Sequence, residues 1–129
     1  MPNRYGDWLR QAEADLKHAH NATTAGDFDW ACFAAQQAAE KALKAVILRL
    51  GGEPWGHSVT VLSGNVAERV TLPPGLLEAG KRLDKHYIPA RYPNGFDSGA
   101  PTDFYTLDEA RNAVADAQTF LDFARGSLG

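Results

Sequence analysis

The chain has 129 residues, enough for one domain of ordinary size and too few for a second core. With 44% hydrophobic and 22% charged residues it has the composition of a globular domain, which excludes intrinsic disorder, collagen-like repeats and a disulfide scaffold. A net charge of -3 argues against a surface that grips nucleic acid throughout, because that affinity comes from neutralising phosphates.

The single cysteine, Cys32, has no partner for an internal disulfide and sits in an apolar run. No apolar stretch reaches the roughly 18 residues of a membrane span, and charges come too early for a signal peptide. The expected setting is therefore cytoplasmic, with no membrane contact.

Residues 5–25 place Trp8, Leu9, Ala12, Leu16, Ala19 and Ala22 at three- and four-residue steps, which predicts an amphipathic helix stopped by Gly26. A second helix is expected from a cap at Asp27 or Asp29 to Gly51-Gly52. Its small residues Ala31, Ala35, Ala38, Ala39, Ala42 and Ala45, with Val46, form one core face. On the other side Gln36, Gln37, Glu40, Lys41 and Lys44 make a polar stripe flanked by Phe33, Ile47 and Leu48, a pattern expected of a surface that meets a partner.

Ser58 can cap a short helix to about Ser63, ahead of Gly64 and Pro73-Pro74. Pro74 suits the first turn of a further helix that runs to about Tyr87 with Leu76, Leu77, Ala79 or Gly80, and Leu83 facing inward. Ile88 precedes Pro89 and is biased away from helix. The stretch PARYPNGFDSGAPTDF reads as a functional loop. A capping box, Thr106 with Glu109, opens the last helix, whose apolar line is Ala110, Val114, Ala117, Leu121 and Ala124 before Gly126. The expected fold is all-α, an up-and-down antiparallel bundle of four main helices plus a short one.

The chain carries no phosphate-loop motif and no H-x-x-x-H, so neither a nucleotide fingerprint nor a metal site nor any cofactor is expected from spacing. Lys81, Arg82, Lys85, His86 and Arg91 crowd one segment in which Asp84 is the single acid. On a helix Arg82 and His86 are i,i+4 neighbours, suited to metal-free phosphodiester chemistry with His86 as acid/base and Arg82 on the phosphate. The same cations would also favour a helix C-terminus through its dipole, and spacing alone favours that reading over catalysis. Tyr87, Arg91, Tyr92 and Asn94 follow on a proline-stiffened segment where aromatics can stack on a base or cover the bundle end.

The run AxxAQQAAEKALKAVI, the His57-Ser58 helix start and LDKHYIPARYPNG, taken together, make the sequence resemble the HEPN domain family in its minimal, free-standing prokaryotic form, over nearly the whole chain. The resemblance implies a bundle of about five helices, a homodimer, and a partner in a minimal nucleotidyltransferase encoded beside it. It also implies a nucleotide-binding role, with the Gln36/Glu40/Lys44 stripe and the Tyr87 to Asn94 segment as the place for it. Many members are metal-independent endoribonucleases, often toxins of toxin-antitoxin pairs, that use an arginine, four to six intervening residues and a histidine. Here Arg82 and His86 have three between them, and Lys81, at the required distance, is not arginine. Two readings follow: a non-catalytic module that binds its partner, possible ligands being nucleotide or RNA, and an RNase acting through Arg82 and His86.

Overall fold

The computed structural model describes residues 3–128. In chain order its helices are α1 (Tyr5–Ala25), α2 (Phe28–Arg49), α3 (Val59–Ala67), α4 (Leu76–Asp84), the short α5 (Pro101–Phe104) and α6 (Leu107–Leu128), with a 3₁₀ turn at Pro93–Gly95. The fold is all-α, as the periodicities predict, and no strand occurs among the described residues.

Gly26 ends α1 where expected. Its φ of 85° lets its N–H turn back to the carbonyls of Ala22 and Thr23, and α2 starts two residues later. So short a link makes the two long helices antiparallel neighbours. The alanine face of α2 is buried throughout, so α1 and α6 can come close on either side of it. α3 and α4 pack on each other and close one end of the same core. Phe120 on α6 and Leu43 on α2 are its largest fully buried side chains.

Five helix ends differ from expectation. Asp27 stands at the N-cap position of α2, but its side chain makes no capping hydrogen bond. α3 continues to Ala67 because Gly64 lies on its open side, where nothing crowds it. Pro74 sits in a turn ahead of α4, which starts at Leu76 after Gly75 takes up a left-handed φ of 84°. α4 also stops at Asp84 rather than near Tyr87, since the missing N–H of Pro89 and its clash with residue 88 leave residues 85–91 to tight turns such as His86 N–H to Leu83 O. Leu77, expected inside, is 37% exposed. α6 runs through Gly126 to Leu128, whereas its capping box forms as predicted, with reciprocal Thr106 and Glu109 bonds of 3.1 and 3.2 Å.

In the irregular stretch, Phe96 stacks on Phe104 at 4.7 Å, and a Cβ on Gly99 would come within 2.9 Å of the Phe104 ring. Only glycine fits there.

Truncating Phe120 to alanine should cost about 4 kcal/mol, by the usual scale for emptying a buried aromatic site. A lower urea midpoint at unchanged m-value in equilibrium unfolding checks this.

Candidate functional site

Asp84, the lone acid of the cationic segment, lies where α2, α3 and α4 meet. Its carboxylate accepts the backbone N–H groups of Val59 and Thr60 at 2.8 Å, the Ser58 hydroxyl at 2.9 Å and the Gln36 amide at 3.4 Å. A carboxylate at a helix N-terminus meets unpaired donors and the positive end of the dipole. Burial opposes its charge, but the hydrogen bonds from Thr60, Val59 and Ser58 outweigh that and hold the carboxyl below its ordinary range.

The polar stripe of α2 continues from this point, and most of it is inside. Gln36, Glu40 and Lys44 are buried; only Gln37 and Lys41 are partly open. The expectation of an open polar surface is corrected for those three, because His57 from the segment after α2 lies against Gln36 and Glu40, and Lys44 lies over the Trp8 ring of α1 at 5.4 Å. Gln36 donates to the His57 carbonyl at 2.8 Å. Gln37 donates to Gln36 at 2.8 Å and to Glu40 at 3.3 Å. Glu40 is held on its other oxygen by Lys44 at 3.2 Å and by His57 Nδ1 at 3.1 Å. Lys41 pairs with Asp15 on α1 at 2.6 Å. The seam is satisfied by the chain's own groups, as buried polar atoms must be.

Its one well-exposed member is His57, whose ring stacks on Tyr87 with centres 5.3 Å apart. Tyr87 also faces Phe33, and Arg91 lies over both rings and over Tyr92 at 4.4, 4.7 and 5.1 Å. Trp30 stands edge-on to Phe33 at 6.1 Å. Tyr87, Arg91 and Tyr92 thus gather on one aromatic face above the α2 seam, while Asn94 is exposed in the neighbouring 3₁₀ turn. His57 and Trp30 belong to this face without having been picked out as site residues; the polar and apolar mixture on α2 was the signal near them.

Arg82, His86 and Lys85 look elsewhere, into a hollow of about 190 Å³ against α6. Arg82 holds Asp116 through two bonds of 2.9 Å. His86 Nδ1 lies 3.1 Å from the Tyr105 hydroxyl, and burial lowers its pKa, favouring the neutral ring. Burial pushes the Cys32 thiol up to about 12, which removes it as a nucleophile near neutral pH. Among the described residues no group of three His, Cys, Asp or Glu is placed to hold a metal ion, and no helix is long and apolar enough to cross a membrane.

The family model of the HEPN domain matches residues 5–127. The crystal structure of TT1696 from Thermus thermophilus superposes with a TM-score of 0.94 at 47% identity, covering 98% of this chain and 99% of that one. ST0689, described as an archaeal HEPN homologue, gives 0.83 at 36% identity over the whole of both chains. A curated relative of Methanocaldococcus jannaschii, named "Putative toxin MJ1304", is 25% identical over 94% of this chain and 86% of its own length.

Two outcomes are expected. Replacing Asp84 by alanine strands donors from α3 in a half-buried place and should cost about 3 kcal/mol in urea unfolding. Because His86 has a lowered folded pKa, the unfolded chain binds the extra proton first as pH falls below about 6.5. Stability should therefore drop through that window, and His86→Gln should flatten this part of the melting-temperature profile.

Proposed function

The chain belongs to the HEPN domain family, and we propose that it acts there as a non-catalytic module: a homodimer that pairs with a minimal nucleotidyltransferase in a toxin-antitoxin-type system. The observation that carries this reading is the state of the arginine needed for metal-free RNA cleavage. Arg82 is clamped to Asp116 in a bidentate pair, a geometry matched to carboxylate as well as it would be to phosphate. To reach a phosphodiester the guanidinium, 56% exposed, would have to give up both bonds to Asp116, whose side chain is 15% exposed. His86, held near the Tyr105 hydroxyl and biased to its neutral form, is poorly prepared to protonate a leaving group.

The toxin name of the Methanocaldococcus jannaschii relative supports the toxin-antitoxin setting. The aromatic face of Tyr87, Arg91 and Tyr92, with Asn94 beside it, serves as the contact region for the partner or for a nucleotide it handles. The soluble, cytoplasmic setting and the absence of a cofactor belong to the same reading.

The RNase alternative keeps one point in its favour, since Arg82 and His86 line the same hollow. RNA incubated in EDTA with the wild-type protein, Arg82→Ala and His86→Ala decides between them. We expect no cleavage by any of the three, a light-scattering mass of twice the 14.0 kDa chain, and co-purification with a minimal nucleotidyltransferase expressed alongside it. Cleavage by the wild type that both variants lose would overturn the non-catalytic reading, and a monomer that binds no such neighbour would end the module reading.

A further inference from the structure

Arg91 is held firmly by its surroundings but meets no carboxylate among the described residues. Its Nε donates to the Tyr87 carbonyl at 2.8 Å, and the rings of Phe33, Tyr87 and Tyr92 pack around its guanidinium. Among the described residues no carboxylate pairs with it, whereas Arg82 holds Asp116 and Arg125 holds both Glu13 and Asp122. A guanidinium fixed in this way keeps a planar set of N–H donors at a defined angle, and much of the entropy a free side chain would lose on binding is already lost.

Next to it Trp30, 49% exposed, and Phe33 wall a hollow of about 250 Å³ whose one acid, Asp15, is neutralised by Lys41. His18, Gln37 and Lys41 make the far side of the hollow polar, so its apolar wall is Trp30, Phe33 and Ala34, with Arg91 over the Phe33 ring. Aromatic residues and arginine side by side are the composition of a binding hot spot. A twofold contact centred on Arg91 would set two like charges against each other. The charge pattern therefore favours a different molecule.

We propose that this face binds a partner-protein segment carrying an aspartate or glutamate beside a large apolar side chain, the carboxylate forked onto Arg91 and the apolar group seated against Trp30 and Phe33. The inference rests on the reading that this face meets a protein, and it adds the chemistry of the segment that docks.

A random-peptide library panned on the immobilised full chain tests it, followed by fluorescence-anisotropy titration of the enriched peptides against wild type, Arg91→Gln, Arg91→Lys and Trp30→Ala. Thermal melts of each variant show that it is folded. Enriched peptides should share an acid next to an aromatic or aliphatic residue. Arg91→Gln and Arg91→Lys should each weaken binding about tenfold or more, the lysine variant because it keeps the charge but not the fork. Changing the peptide acid to its amide should cost as much with wild type and little more with Arg91→Gln.

No enrichment, peptides without an acid, or equal affinity for the Arg91 variants would overturn the proposal. Displacement of the peptides by a single-stranded RNA oligonucleotide that itself needs Arg91 would also overturn it, in favour of a nucleic-acid face. A nucleotidyltransferase that paired equally with wild type and Arg91→Gln would sink this inference and leave the pairing standing. Acid-dependent peptide binding without such pairing would do the reverse.

Discussion

The Asp84 carboxylate, seated on the open N-terminus of α3, is the contact on which the arrangement of the other parts depends. It ends α4, satisfies donors of α3 and reaches Gln36 on α2, so one charged group sets the relative position of three helices. The helix start supplies the partial positive charge that makes a half-buried anion tolerable, and partial burial in turn strengthens each bond to it. From this point the segment after α2 is laid across the α2 stripe, which brings His57 over Glu40.

That placement explains why a bundle core holds glutamine, glutamate and lysine in line. Charged side chains so deep are costly, and apolar residues of the same size would often be at least as stable. What the seam provides instead is direction. Glu40, fixed by Lys44 and Gln37, aims the His57 ring, and the ring stacks on Tyr87 at the foot of the aromatic face. The face therefore stands on a polar foundation inside one chain. An apolar seam would let the turns that carry Tyr87 and Arg91 slide, because apolar contacts have little directional preference.

The segment from Lys81 to Arg91 divides between His86 and Tyr87. Arg82 and His86 turn toward α6, where Asp116 and Tyr105 engage them, while Tyr87 and Arg91 turn toward α2 and Phe33. Side chains neighbouring in sequence thus serve two different sides of the molecule. The side facing α6 is braced by the chain's own groups, and the side facing α2 keeps donors and aromatic surface available.

Much of the architecture was legible in the sequence because local rules sufficed for it. The alanine face of α2, the left-handed stop at Gly26, the Ser58 cap and the Thr106 to Glu109 box each depend on residues within a turn or two of one another, and all appear as the spacing predicts. The resemblance to HEPN domains was legible for the same reason, since it was carried by contiguous motifs. What only the tertiary structure decided are pairings across long stretches of chain: Arg82 with Asp116, Gln36 with His57, Asp84 with the start of α3. A helical pattern tells which side of a helix is polar, but it cannot tell whether another segment will cover that side. That is why Gln36, Glu40 and Lys44 read as surface and proved to be interior. The charge of a side chain is written in the sequence, whereas the group that meets the charge is chosen by the fold.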